Sequence, residues 1–74
     1  MKAIWQGDRL MIRRKQLGLT MAALAGKAGC DRPLVSMWES GKATPSGHYL
    51  VVLGTVLNCE PKELYIFEDE KEGA

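Results

Sequence analysis

Side chains suited to metal binding or covalent catalysis are scarce in this sequence and stand far apart. The soft metal ligands are Cys30, His48 and Cys59, whereas a structural zinc site needs several such ligands at short spacing. With one histidine and no glycine-rich phosphate loop, no set of residues matches a catalytic arrangement. We therefore expect a protein that is not an enzyme and needs no cofactor or metal, with both cysteines serving as small apolar residues.

Cationic side chains are the second source of chemistry, because lysine and arginine bind phosphates. Residues 1–42 carry eight of them against three acidic residues, a charge of +5, whereas residues 43–74 carry two against six, a charge of −4. The net charge of +1 conceals this division. A basic half can face nucleic acid while the whole chain stays near neutral, although chance segregation of ordinary surface charge would give the same count.

The length of 74 residues and the hydrophobic content of 46% predict one small domain with a packed core. We expect this domain over residues 1–67, followed by a charged, disordered tail over residues 68–74. No apolar run approaches the roughly 18 residues of a membrane span, and the N-terminus lacks the apolar stretch of a signal peptide. These features predict a cytoplasmic protein with reduced thiols and no membrane partner.

Glycine, proline and asparagine divide the chain into five segments whose apolar spacing is helical. The predicted helices cover residues 7–17, 21–28, 32–40, 47–57 and 61–67. Thr20, Asp31 and Ser46 stand before three of them as predicted N-caps. The predicted inward positions are Leu10, Arg14, Leu17, Leu24, Ala25, Ala28, Val35, Trp38, Leu50, Leu53, Leu57 and Leu64. A strand over residues 50–56 is the alternative for the fourth segment, but the leucine spacing favours a helix.

The second and third predicted helices are joined by only three residues, which forces them to cross steeply. Ala25 supplies a small side chain for the close approach, Gly29 accepts the left-handed conformation of the turn, and Val35 is apolar on the inner face. This is the helix-turn-helix pattern. The stretch LGLTMAALAGKAGCDRPLVSMWESGKATPS resembles the Cro/repressor-type helix-turn-helix proteins (lambda repressor-like, XRE family), which include phage repressors and small bacterial regulators.

This resemblance extends over nearly the whole chain and implies a compact, all-α, five-helix DNA-binding domain. In the family the second helix crosses the phosphate backbone and the third lies in the major groove. Carried over to this sequence, the candidate base contacts are Arg32, Pro33, Ser36, Met37 and Ser40. The candidate phosphate contacts are Thr20, Met21, Lys42, Thr44 and Ser46. Met21 departs from the glutamine often found at its position and cannot donate a hydrogen bond from its side chain.

Two further predictions concern internal structure and assembly. Arg14 and Glu39 lie on inward-leaning faces of helices one and three, where a lone charge is costly. The family has an Arg–Glu pair at the matching positions, so we expect a partly buried ion pair. Related repressors dimerise through the region of helices four and five, which implies a dimer interface containing Val56, Cys59, Pro61, Tyr65 and Phe67. Completion of the monomer core is the alternative for Cys59 and Tyr65.

The predicted function is a sequence-specific transcriptional regulator that binds a pseudo-palindromic, double-stranded DNA operator as a homodimer. Repression by occupying promoter DNA is favoured, and activation through contact with RNA polymerase is its counterpart. A protein-interaction module on the same fold, an antitoxin or an adaptor, is the alternative, because helix three has few polar residues. The basic half of the chain and the cations Arg32 and Lys42 favour DNA binding.

Overall fold

The computed structural model describes residues 1–69. A strand precedes four α-helices, and a 3₁₀ helix and a second strand follow them. The elements are β1 (Lys2–Trp5), α1 (Gly7–Gln16), α2 (Met21–Ala28), α3 (Arg32–Ser40), α4 (Gly47–Leu57), the 3₁₀ helix (Pro61–Leu64) and β2 (Tyr65–Glu68). The first four predicted helices are present at or within a residue of the predicted ends, and α4 excludes the strand that was the alternative for residues 50–56.

The predicted fifth helix, residues 61–67, is wrong beyond its first turn. Pro61–Leu64 forms a 3₁₀ helix, and the chain then extends into β2, which pairs antiparallel with β1. The register sets Ile4 opposite Ile66 and Trp5 opposite Tyr65. Aromatic and β-branched side chains favour extended backbone when a partner strand is available. The strand also runs through Glu68, the first residue of the predicted tail, and residues 70–74 of that tail lie outside the described residues.

The core lies between the four α-helices and consists of apolar side chains that are almost completely buried. Its members are Leu10, Leu24, Ala25, Ala28, Val35, Trp38, Leu53 and Leu57. Leu64 is also buried, as predicted. Leu17 is 43% exposed, which contradicts its predicted inward position. The reason is that α1 ends at Gln16, so Leu17 is the C-cap and leaves the apolar stripe. Leu50 is only half-buried.

Local hydrogen bonds explain where α2, α3 and α4 begin. Thr20 and Ser46 accept hydrogen bonds from the backbone of Ala23 and Tyr49, which confirms both N-caps. Asp31 occupies the N-cap position of α3, but its carboxylate caps no backbone N–H group there. Its carbonyl oxygen instead accepts from the N–H of Leu34 at 3.0 Å. The side-chain caps thus stand at the connections that lead into α2 and into α4.

The turn between α2 and α3 requires its glycine. Gly29 has a φ of 75°, in the left-handed region that side chains disfavour. The next residue, Cys30, returns its N–H to the carbonyl oxygen of Ala25 at 3.0 Å, which satisfies the end of α2. The predicted left-handed conformation of Gly29 is therefore confirmed. Ala25 is only 3% exposed, and its predicted role at the close approach of the two helices stays a prediction.

Candidate nucleic-acid interface

The third helix is anchored from its inner side by apolar packing and by an ion pair. Val35 is completely buried and Trp38 is 1% exposed. Arg14 and Glu39 form a bidentate pair, with Nε to Oε2 at 2.6 Å and Nη2 to Oε1 at 3.0 Å. The second Nη of Arg14 donates to the carbonyl oxygen of Leu19 at 2.8 Å. The structure thus brings together the two residues of the predicted pair, and they join α1 to α3.

Burial and partnership act on the pKa of Arg14 in opposite directions. The hydrogen-bonded carboxylate of Glu39 raises this pKa, desolvation lowers it, and the charge of Glu39 raises it further. The net pKa is raised above the ordinary arginine value. The guanidinium therefore stays charged, and α3 is held by a permanent cation.

The outer side of α3 carries the side chains predicted to contact bases. Arg32, Pro33, Met37 and Ser40 are exposed, and Ser36 is half-buried. Met37 has 42% of its surface exposed, a large apolar group on an otherwise open face. Ser40 donates its hydroxyl proton to the carbonyl oxygen of Met37 at 3.2 Å. Its oxygen lone pairs are then the part of the hydroxyl that remains available to a ligand.

The predicted phosphate contacts lie at the start of α2 and in the segment between α3 and α4. Lys42, Thr44 and Ser46 are exposed in that segment, and Thr20 is exposed before α2. Met21 is half-buried and packs against the core. Only its backbone N–H, at the first position of α2, is then suited to a phosphate. The first N–H groups of α2 and α4 have no partners within their own helices, which makes both helix starts favourable for anions.

Two cations of the basic half, Arg9 and Arg13, donate hydrogen bonds to distant backbone carbonyl groups and so help to hold the fold together. Arg13 donates from Nε to the carbonyl oxygen of Leu57 at 2.9 Å and from Nη2 to that of Asn58 at 3.1 Å. Arg9 donates from Nη1 to the carbonyl oxygens of Glu63 and Tyr65, at 3.3 and 2.9 Å. Sequence reasoning missed these roles, because the carbonyl acceptors lie more than forty residues away along the chain. The charge of +5 therefore includes two arginines whose guanidinium groups also have a structural role.

The residues predicted for a dimer interface lie on the side formed by α4, the 3₁₀ helix and β2. Phe67 is 51% exposed, whereas the other four predicted members, Val56, Cys59, Pro61 and Tyr65, are half-buried. Val56 and Cys59 pack partly against the core, and Tyr65 makes an edge-to-face contact with Trp5, with ring centroids 5.4 Å apart. Phe67 is therefore the predicted member with the most apolar surface left for a partner.

Cys59 borders two surface depressions on this side, of about 250 and 320 Å³. Ile12 lines one and is 50% exposed, and Val51 lines the other and is 66% exposed. Desolvation raises the pKa of the Cys59 thiol, the charge of Glu63 raises it further, and Arg13 lowers it. The net pKa is raised, so this cysteine has the character of a small apolar residue more than that of a nucleophile.

Comparison with known proteins adds a family to this geometry. The profile of the helix-turn-helix family matches residues 10–64, which contain α2, α3 and α4. The chain belongs to the helix-turn-helix family. Repressor protein C2 of Salmonella phage P22 is 36% identical to it over 58 residues, and the HTH-type transcriptional regulator DicA of Escherichia coli strain K12 is 35% identical over 66 residues.

These alignments cover most of this helix-turn-helix protein but only part of its curated relatives. They span 78% of the chain and 27% of the P22 repressor, and 89% of the chain and 49% of DicA. The chain thus spans about half or less of the length of these two relatives. The remaining parts of the P22 repressor and of DicA have no counterpart in these alignments.

Solved structures of two relatives share the fold of this helix-turn-helix protein. The P22 C2 repressor in complex with a synthetic operator matches with a TM-score of 0.76 at 36% identity, covering 78% of this chain and 88% of that one. SinR, a regulator of biofilm formation from Bacillus subtilis, in complex with DNA, matches with a TM-score of 0.73 at 32% identity, covering 78% and 94%. The predicted repressor-type fold is confirmed, with four α-helices and a small sheet in place of five helices.

Two observations on the described part of the chain bear on other kinds of site. Among residues 1–69, no group of three or more histidine, cysteine, aspartate or glutamate side chains is placed to hold a metal ion. Over the same residues, no helix has both the length and the apolar character needed to cross a membrane.

Proposed function

We propose that this protein is a sequence-specific DNA-binding transcriptional regulator that places α3 in the major groove. The observation that carries the proposal is the two-sided character of α3. Its inner side is fixed by Val35, Trp38 and the Arg14–Glu39 pair, and its outer side is open. A rigid helix with a free outer face is what readout of base edges requires. The relatives solved with operator DNA and with DNA support it.

The side chains on the outer face suit a short set of base contacts. Arg32, exposed at the start of α3, can donate two parallel hydrogen bonds to O6 and N7 of guanine. Met37 and Pro33 offer apolar surface to a thymine methyl group. Ser36 donates to or accepts from several base edges. Ser40, whose proton is held by Met37, accepts from the exocyclic amine of cytosine or adenine.

Phosphate contacts on both sides of α3 would set its position on the duplex. Thr20 accepts from the N–H of Ala23 at 3.0 Å, which leaves its own hydroxyl proton for a phosphate oxygen. The exposed side chains of Lys42 and Thr44 and the start of α4 at Ser46 provide the contacts on the other side. Met21 contributes its backbone N–H at the start of α2. These contacts fix position and carry no sequence information.

The functional unit that we propose is a homodimer on two half-sites roughly 34 Å apart, one helical turn of DNA. Its interface contains Val56, Cys59, Pro61, Tyr65 and Phe67. The half-exposed phenyl ring of Phe67 and the depressions beside Cys59 support this choice. We expect Phe67→Ser to shift sedimentation equilibrium towards monomer, whereas Leu17→Ser, at another exposed apolar residue, leaves it unchanged. Equal shifts in both variants would contradict this interface.

The experiment that tests DNA recognition is selection of bound sites from random duplex DNA at a stated salt concentration. We expect a motif with two-fold symmetry and an affinity well above the non-specific range of roughly 10⁻⁴–10⁻⁶ M. The same selection with Lys15→Ala, which removes an exposed cation on α1, serves as the matched control and returns the same motif. A wild-type selection without any enriched motif would reject the proposal and leave the protein-interaction module as the better reading of the fold.

The direction of regulation follows from where the operator lies. Occupation of promoter DNA by the dimer blocks RNA polymerase and represses, whereas a site beside the promoter allows contact with polymerase and activates. Transcription in vitro from a template that carries the selected site, with and without the protein, distinguishes the two. Since a regulator of this kind must reach the DNA that it binds, the proposal also places the protein in the cytoplasm.

A further inference from the structure

The last turn of α3 is held by a residue outside the four helices. Trp5, at the end of β1, donates its indole N–H to the carbonyl oxygen of Trp38 at 2.7 Å. The same oxygen accepts the N–H of Gly41 at 3.3 Å, the bond that closes the end of α3. One carbonyl group therefore joins β1, α3 and the segment that leads to Lys42. Two further hydrogen bonds, from Lys42 and Ala43 to the carbonyl oxygen of Met37, continue this turn.

The start of α1 packs closely against the same turn of α3. A Cβ atom on Gly7 would lie 2.4 Å from the carbonyl oxygens of both Trp38 and Glu39, closer than real Cβ atoms approach. The two backbones are thus in direct contact, and the contact requires glycine. Together with the Arg14–Glu39 pair, this contact and the indole bond restrain the end of α3 on several sides.

The small sheet formed by β1 and β2 holds Trp5 in position. Trp5 lies opposite Tyr65 in the β1–β2 register, and their rings meet edge to face with centroids 5.4 Å apart. The N–H of Gln6 extends the pairing to the carbonyl oxygen of Leu64 at 2.9 Å. Arg9 binds the carbonyl oxygen of Tyr65 from the side. The indole ring is therefore aimed at α3 by contacts that do not involve the helix-turn-helix.

We propose that Trp5 is a positioning residue for DNA recognition, whose indole N–H sets the orientation of the last turn of α3 and of the following segment. This inference rests on the proposed function. Ser40 and Lys42, a base contact and a phosphate contact in that proposal, belong to the turn that the indole holds. Without the bond, the last turn of α3 in the free protein is less often in the orientation that binds the operator. The apparent affinity for the operator falls in proportion to the population of that orientation.

The test compares Trp5→Phe with the wild type on the DNA site that wild-type selection enriches. Phenylalanine keeps an aromatic ring against Tyr65, but it removes the N–H donor and the second ring of the indole, so a control for lost side-chain volume is needed. We expect operator affinity to fall roughly two- to tenfold, the range that follows from losing one intramolecular hydrogen bond, while affinity for random duplex DNA and the salt dependence stay unchanged. The matched control is Val52→Ala, which removes volume from a half-buried side chain of α4 that packs against the core and so lowers the melting temperature, but leaves the indole bond of Trp5 in place.

A second measurement needs no DNA. Hydrogen exchange of the Gly41 and Lys42 amides is expected to accelerate in Trp5→Phe and to match the wild type in Val52→Ala, well below the melting temperature of each variant. If Trp5→Phe exchanges these amides at the wild-type rate, or keeps the wild-type preference for operator over random DNA, the positioning role is wrong and the proposed function stands. If the wild type itself shows no preference, the proposed function fails with it.

Discussion

Replacement of Glu39 by alanine is expected to destabilise this domain severely, because it leaves the buried guanidinium of Arg14 without its carboxylate partner. The side chains of Arg14 and Glu39 are only 8% and 4% exposed. In the variant, the guanidinium loses two hydrogen bonds of 2.6 and 3.0 Å and keeps the one to Leu19 at 2.8 Å. Little water can reach Arg14 to replace the lost carboxylate. The cost is therefore that of an uncompensated buried charge, not that of a surface ion pair.

The magnitude follows from burial and from the size of the domain. Removing one partner of a buried pair costs about 3–5 kcal/mol. At about 0.05–0.15 kcal/mol per residue, a chain of 74 residues has a free energy of unfolding of roughly 4–11 kcal/mol. The variant thus loses about a quarter or more of its stability. With a shift of about 4–8 °C for each kcal/mol in domains of this size, the melting temperature falls by at least about 12 °C.

The assay is thermal unfolding followed by circular dichroism, with two control variants. Lys62→Ala breaks the exposed pair with Glu60, whose side chains are 71% and 69% exposed, and should leave the midpoint nearly unchanged. The double variant Arg14→Met with Glu39→Leu removes both charges and should recover much of the loss. A midpoint for Glu39→Ala within a degree or two of the wild type would refute the reasoning, as would a double variant less stable than the single one.

Three further predictions concern other parts of the molecule. Arg32→Ala is expected to relax sequence preference at one position in each half-site, whereas Lys42→Ala weakens binding to all sequences alike and lowers the salt slope by about one, measured by titration with selected and random duplexes; identical effects would contradict their separate roles. Arg13→Met should lower the free energy of unfolding by about 1–2 kcal/mol through loss of the bonds to Leu57 and Asn58, measured in urea against Lys15→Met. Because burial raises the pKa of Cys30 and Cys59, both thiols should react slowly with a disulfide reagent at neutral pH and faster as pH rises through the raised pKa values; reaction as fast as that of the unfolded chain would contradict this.

The pH dependence of stability follows the sign of the shift at Arg14. Its pKa is raised in the folded state, so the folded protein holds this proton more tightly than the unfolded chain does. The stability that comes from the pair is then complete below the ordinary arginine pKa and is lost only as pH rises through the raised value. Titration of Arg14 should therefore not change the melting temperature at neutral or mildly alkaline pH, which differential scanning calorimetry can check.

Local sequence patterns predicted the helices well because caps and turns act over a few residues. Thr20 bonds to Ala23 and Ser46 to Tyr49, so each helix start depends on its own neighbourhood. The same holds for Gly29, whose φ of 75° serves the turn directly. Leu17 shows the limit of this method, because its spacing fits the inner face although the helix has already ended.

The wrong prediction of a helix over residues 65–67 has a different cause, because it involves a distant segment of the chain. Tyr65–Glu68 forms a strand because Lys2–Trp5 is there to pair with it, and more than sixty residues separate the two in sequence. An isolated segment of this composition, following a proline and a leucine at helical spacing, gives no sign of its partner. Strand pairing of this kind depends on the rest of the fold bringing the chain ends together.

In the candidate interface, too, some features follow from local sequence and others depend on distant parts of the fold. The outer face of α3 follows from helical periodicity, so the sequence is enough to place Arg32, Met37 and Ser40 on it. Their role as base contacts stays a prediction. Whether a cation is free is a different matter. The sequence shows Arg9 and Arg13 only as positive charges, whereas in the structure both side chains donate hydrogen bonds to distant carbonyl groups.

The sequence by itself determined the four α-helices, the sharp turn between α2 and α3, and the helix-turn-helix family. It did so because caps, glycine turns and apolar periodicity are properties of neighbouring residues. Tertiary structure alone decided that the chain ends pair as strands, that Arg9 and Arg13 stabilise the fold, and that Trp5 reaches the carbonyl oxygen of Trp38, thirty-three residues away. Each of these depends on a donor meeting an acceptor from a distant segment, and only the packed core brings such groups within hydrogen-bonding distance.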